Sequence, residues 1–230
     1  MIGLNHLVHL KMPINTNKMN LKKYKSLLSV VVIVVAMLMI HSCSKKDEPV
    51  TPEDPDVEEY DRVPLLTNYV DGYIIPAYNQ YVTHVGLLKS EINTFNSTLT
   101  VSALQNLRIK WENALLVWQD VAFLEFGPAQ NISLRSQTNI YPADTALIKA
   151  NINSGSYDLQ LASNFDAKGF QALDYLINGT GATDNDIVTY FTNNTNARTY
   201  LVDVINDIDA GATAVNNDWI NSYRSSFISN

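Results

Sequence analysis

The sequence predicts an all-α protein, an up-and-down helical bundle with irregular connecting segments. Three observations lead there. From Val63 onward, apolar residues recur at three- and four-residue steps, the period of a helix that buries one face. No run of alternating β-branched residues competes with that period. The chain of 230 residues is 46% apolar, enough to fill a core, which excludes a disordered chain.

The first helix is marked by Leu66, Tyr69, Tyr73, Tyr81, Leu88 and Phe95, with Pro76 inside it. A proline removes one backbone donor, so a kink is expected near residues 72–76. Asn96-Ser97-Thr98 ends this helix, and Thr100 caps the next. The second helix carries Leu104, Leu107, Trp111, Leu115, Trp118, Ala122 and Phe126 on one face and is expected to stop at Gly127-Pro128. Residues 129–143 read as polar and irregular. Pro142-Ala143-Asp144 opens a short helix through Ile152, and residues 154–167 lack a sustained period. Phe170, Leu173, Leu176 and Ile177 then share a face, ended by Gly179-Thr180-Gly181. Asp184 is expected to cap a short helix from Ile187 to Phe191. The last helix starts near Asn196 and shows Tyr200, Val204, Ile208, Val215, Trp219 and Phe227 on its face, with Gly211 inside at a cost of about 1 kcal/mol relative to Ala.

Ahead of the helices lies a targeting segment. Residues 18–25 are basic, residues 27–40 form an apolar run broken only by Ser29, and His41-Ser42-Cys43 follows. That run of 14 residues falls short of the roughly 20 that cross a bilayer as a helix, so residues 1–43 read as a signal peptide. Ile40-His41-Ser42-Cys43 resembles the lipobox of bacterial lipoproteins, with Cys43 as the lipidated first residue of the mature chain. The expected location is the envelope of a Gram-negative bacterium, as an outer-membrane lipoprotein facing the periplasm or the surface. Residues 1–18 fit no signal architecture, and Met19 makes a better natural start. Residues 44–62 read as an acidic, proline-rich tether. Lys46-Asp47-Glu48 resembles a surface-export signal of some Gram-negative lipoproteins, or is simply solvated linker.

Charge and composition exclude several functions. Residues 1–43 hold five lysines and no acid, so the rest carries 11 Lys and Arg against 23 Asp and Glu. A body at −12 offers no footprint for nucleic acid. One cysteine rules out a disulfide framework and a cysteine-rich metal site. No Gly-x-Ser-x-Gly and no phosphate-cradling loop occurs. The stripe of Trp111, Trp118 and the tyrosines reads as core rather than as a haem box.

Four local patterns follow in order: Ile75-Pro76-Ala77-Tyr78; Trp118-Gln119 with Phe123-Leu124-Glu125-Phe126-Gly127-Pro128; Asn139-Ile140-Tyr141-Pro142-Ala143-Asp144; and Lys168-Gly169-Phe170-Gln171-Ala172-Leu173-Asp174-Tyr175-Leu176-Ile177. Together they resemble the imelysin family, peptidase family M75, over about residues 63–225. The resemblance implies an all-helical fold of two bundle-like halves, an envelope protein linked to iron uptake and sometimes haem, and a Gly-x-His-x-x-Glu metal motif. Here Gly169 matches, whereas Gln171 stands at the His position and Asp174 at the Glu position. Family members continue well past the equivalent of Trp219, so residues 63–230 read as incomplete relative to the family, through truncation or as a one-bundle variant.

The site implied by the resemblance is a metal site of Asp174 and Gln171 with Glu125, and its cofactor would be iron or another divalent metal. Gly127, Pro128 and Gly169 are its motif residues. Residues 171 and 174 share a helix face, but an amide is a poor transition-metal ligand beside imidazole. Glu125 is a candidate because an acid at a helix C-terminus opposes the dipole. Arg135 and Asp144 are expected to pair or to be solvated. A catalytic zinc site usually takes three protein ligands, and His84, the one histidine after Cys43, reads as a helix-face residue rather than a ligand. The leading function is a lipoprotein held to the membrane through Cys43, a binding component working with iron or haem uptake partners. A metal-dependent peptidase of the M75 type and a surface interaction protein without metal are the alternatives.

Overall fold

The computed structural model describes residues 60–229, all within one compact unit, Glu59–Asn230. Cys43, the apolar run and the tether lie outside the described residues. Among these residues every regular element is helical.

Four helices make the bundle: α2 (Ile75–Thr98), α3 (Val101–Gln119), α7 (Gly169–Asn178) and α9 (Thr195–Asp218). α2 packs along both α3 and α9, and α7 closes the ring between those two. Neighbours run antiparallel. Asn79, Lys89 and Asn96 of α2 meet Asn216, Asp209 and Arg198 of α9 in descending order. Arg108 and Trp111 of α3 meet the Ile177 and Phe170 carbonyls of α7 in the same reversed sense. A two-residue link turns α2 into α3, with Leu99 left-handed at φ 49° and the Thr100 hydroxyl accepting from the Ala103 amide. On α2 the buried positions Tyr78, Tyr81, Val85, Leu88, Ile92 and Phe95 reproduce the sequence period.

The expected break near Pro76 is a π-helical turn, Val70–Ile74, between α1 (Val63–Tyr69) and α2. Pro76 has no amide to donate to the Gly72 carbonyl, and the wider turn lies where that bond is missing. Val70 and Ile74 of this turn are buried as the period suggested, but α1 holds no buried residue, and two tyrosines of the periodic face stay outside the core. Tyr69 and Tyr73 stack at 6.1 Å and are each 37% exposed. A second π-helical turn, Trp219–Tyr223, precedes α10 (Arg224–Ser229). Arg224 spans both carboxylate oxygens of Asp71, its Nε donating to Oδ1 at 2.7 Å, and so ties the two π-turns together.

Three expectations fail for tertiary reasons. The second helix ends at Gln119, not at Gly127. Turn bonds from the Val121, Ala122 and Leu124 amides fold the chain back, which buries Val121 and Leu124. Phe126 leaves the helix face to meet Trp219 edge-on at 5.8 Å. Gly127 therefore starts a helix instead of ending one: it precedes α4 (Pro128–Asn131) at φ 54°, and a Cβ there would lie 2.4 Å from the Tyr223 ring. The segment 129–143 is not wholly irregular, since it holds α4 and α5 (Leu134–Thr138), with Leu134 and Thr138 buried. Gly211 lets Leu134 approach α9, where a Cβ would stand 3.1 Å from Leu134 Cδ1.

The remaining elements follow local capping rules. Asp144 accepts from the Ala146 and Leu147 amides at the start of α6 (Thr145–Ser154), so it does not pair with Arg135. A 3₁₀ turn, Ala162–Ala167, leads into α7. Thr183, not Asp184, caps α8 (Asp184–Asn193) through a capping box with Asp186. Asp184 instead pairs with Arg108 at 2.7 Å. The loop before α7 is fixed by a buried polar network in which Asn151 donates to Asn164 and Tyr200 donates to the Ala167 carbonyl at 2.6 Å.

Candidate functional site

The four sequence patterns converge on one region. Trp118 lies 5.3 Å from Tyr81 and 6.4 Å from Phe170, which joins α2, α3 and α7 in one aromatic cluster. Beside it opens a cleft of about 310 Å³ lined by Trp118, Gln119, Ala122, Phe123, Arg135 and Asn139. Asn139 enters from the segment after α5, and its Oδ1 accepts from Gln171 Nε2 at 2.9 Å. Gln171 thus meets the cleft through Asn139. Gly169 makes that approach possible: at φ 77° it begins α7, and a Cβ there would stand 2.2 Å from the Thr138 carbonyl oxygen.

Glu125 sits in the link after α3 rather than at a helix C-terminus, so the dipole argument does not apply to it. Burial raises its carboxyl above the usual range, against the opposing pull of the Arg135 backbone amide and guanidinium. The same carboxylate adds to the burial that holds the Tyr78 phenol far above its ordinary value. Tyr78 and Tyr81 are wholly buried; the Tyr78 hydroxyl has no hydrogen-bond partner, whereas Thr138 faces that of Tyr81. An orphan such as Tyr78 costs about 1–3 kcal/mol.

Asp174 points its Oδ1 at Asn178 Nδ2, 2.8 Å away and one turn along α7. Gln171, Asp174 and Glu125 are all absent from the cleft lining. Each is engaged locally: Gln171 with Asn139, Asp174 with Asn178, Glu125 with Arg135. Among the described residues no group of three or more His, Cys, Asp or Glu is placed to hold a metal ion. These donors are thus directed to three separate partners rather than to one shared centre. His84 lies half-buried on α2, outside any such group.

Two residues take places that their sequence neighbourhood did not assign them. Arg135 belongs to the cleft and takes part in none of the ion pairs of the described residues. Lys168, immediately before Gly169, is 1% exposed. Its Nζ lies 2.9 Å from Asp207 Oδ2, donates to Gln137 Oε1 at 3.0 Å, and stands 4.9 Å from the Phe165 ring centroid. Asp207 interrupts the apolar face of α9 one residue before Ile208, and that is the only signal the sequence offered.

Among the described residues no helix is long and apolar enough to cross a membrane. No curated protein matches the chain. A solved structure from Parabacteroides distasonis, described as an iron-regulated protein A precursor, is similar at a TM-score of 0.62 and 16% identity, over 77% of this chain and 53% of that one. This chain thus spans about half the length of the structure it matches. That likeness shares the helical architecture derived above. The family model for imelysin, peptidase M75, matches residues 74–230, from the end of the first π-turn to the last residue, and this chain belongs to the imelysin family.

Proposed function

We propose that the chain is an envelope-anchored lipoprotein, lipidated at Cys43 in the outer membrane, and a binding component in iron or haem acquisition rather than a peptidase. One observation carries the second half of this reading. Where the family motif has histidine, Gln171 donates to Asn139. An amide pair supplies no imidazole to a metal and no base to a water. Family membership and the similarity to an iron-regulated precursor support the link to iron and to export.

The ligand is an iron-loaded molecule rather than a bare ion. The cleft offers the exposed Phe123 ring, the Arg135 guanidinium and the Asn139 amide, a set suited to a carboxylate-bearing ferric chelate.

The test titrates the mature domain with Fe(II), Zn(II), ferric citrate and haem, reading tryptophan fluorescence and metal stoichiometry. Ferric citrate binds, and Arg135→Ala weakens it about tenfold, the value of one charge-assisted contact. Neither bare metal reaches one per chain in the wild type. Gln171→His alone does not bring Zn(II) to one per chain, because Asp174 is taken up by Asn178 rather than facing residue 171. One tightly held metal per wild-type chain, with chelator-sensitive cleavage of an unfolded substrate, would restore the peptidase. Failure of ferric citrate and haem alike would leave a surface interaction protein without metal.

A further inference from the structure

A second cleft, outside the family motif, has the makings of a ligand site. It measures about 310 Å³ and is lined by Lys149 and Asn153 of α6, Tyr175 of α7, Thr180, Tyr190 of α8 and Asn194, with Gly179 at its floor. Its lining contains no carboxylate, in a body whose net charge is −12.

Apart from the Thr180 hydroxyl, the side-chain donors of this cleft are unspent. Lys149 joins no ion pair; its ammonium stands 5.7 Å from the Tyr175 ring centroid. The hydroxyls of Tyr175 and Tyr190 and the amide of Asn153 have no hydrogen-bond partner among the described residues, while Asn194 uses only its Oδ1, toward the Ala197 amide. The groups that would repel an anion are already occupied. Arg108 takes the Ile177 carbonyl at the end of α7, at 2.9 and 3.1 Å, and Thr180 takes that of Leu176. Arg198 takes the Phe191 and Thr192 carbonyls at the end of α8.

The ring itself is held in place. A Cβ at Gly179 would lie 2.7 Å from Tyr175 Cδ2, so only glycine there lets the ring fold back beside Lys149. Tyr175 and Tyr190 are both half-buried, so each ring packs on one side and leaves its hydroxyl to a polar ligand.

We infer that this cleft binds a small organic anion of about monosaccharide size, its carboxylate or phosphate on Lys149 and its body against the tyrosines. The volume lies at the lower end of small-molecule sites.

The experiment is calorimetric titration of the mature domain with glucuronate, glucose 6-phosphate and neutral glucose. At least one anion binds with a Kd of about 1 mM or tighter, and glucose does not. Response to glucuronate alone assigns a carboxylate, and response to glucose 6-phosphate alone a phosphate. Lys149→Ala weakens the interaction about tenfold, whereas Lys149→Arg keeps it. Tyr190→Phe weakens it by about threefold, through one lost hydroxyl. Arg135→Ala leaves it unchanged, which separates this cleft from the one next to Trp118. Thermal melts show each variant folded. Equal binding of glucose, no binding of either anion, or indifference to Lys149→Ala in a folded variant overturns the inference.

Discussion

The Lys168 ammonium is buried against the Asp207 carboxylate at 2.9 Å, with the lysine side chain 0% and the aspartate 11% exposed. The pair pins the start of α7, the helix that carries Gln171 and Asp174, to the middle of α9. Asp207 also accepts from Gln160 at 2.5 Å. Asp207→Asn leaves the lysine charge buried without its counterion, and urea unfolding should show a loss of about 3–5 kcal/mol. Lys168→Met keeps the apolar stem and leaves Asp207 with Gln160 and partial solvent, so its loss should be smaller. Equal effects from both changes would mean that the pair does not constrain α7.

Two glycines should respond differently to alanine. Gly169→Ala forces a left-handed residue to carry a Cβ 2.2 Å from the Thr138 carbonyl, a backbone atom that cannot step aside. Strain and clash together should cost about 3 kcal/mol or more. Gly211→Ala meets only the far end of Leu134 at 3.1 Å, and alanine gains about 1 kcal/mol in helix propensity. Its net effect on the melting temperature should be close to zero.

Asp71 and Arg224 predict a pH signature. The hydrogen bond to Arg224 holds the Asp71 carboxyl below its ordinary 3.8. A depressed acid contributes stability that is complete above the unfolded value and is lost as pH falls through the folded one. Urea midpoints of the wild type should therefore fall below about pH 4, and Asp71→Asn should lower the pH 7 midpoint and flatten that acid limb. Asp184, held down in the same way by Arg108, keeps its own share of the limb in both proteins. An Asp71→Asn acid limb identical to wild type would dismiss the contact between the two π-turns as a surface pairing without energetic weight.

The anchor is tested apart from the fold. Cys43→Ala should move the protein from the membrane to the soluble fraction, because the chain then lacks its lipid and no described helix spans a bilayer. A Cys43→Ala protein that stays in the membrane, beside wild type with an uncleaved N-terminus, contradicts the lipoprotein reading.

What the sequence determined by itself was local or periodic. The positions of Tyr78, Leu88, Phe95, Leu173, Val204 and Ile208 in the core follow from helical spacing, because a helix with one apolar stripe has one way to bury it. Thr100 and Asp144 could be read as caps because a side chain that bonds an amide two or three residues on needs nothing distant. The Thr183–Asp186 capping box is equally local, and it leaves Asp184 free to reach Arg108. The tertiary structure decided the rest. α3 stops at Gln119 because Val121 and Leu124 find burial only by leaving its axis. Gly127 and Gly169 are required by the Tyr223 ring and the Thr138 carbonyl, contacts far along the chain that no motif spacing encodes. Gln171 and Asp174 shared a face on paper, yet Asn139 and Asn178 take them in different directions, since hydrogen-bond partners are chosen by proximity in space. The charge of Lys168 hides in the core for the same reason: only packing brings Asp207 within 2.9 Å of it.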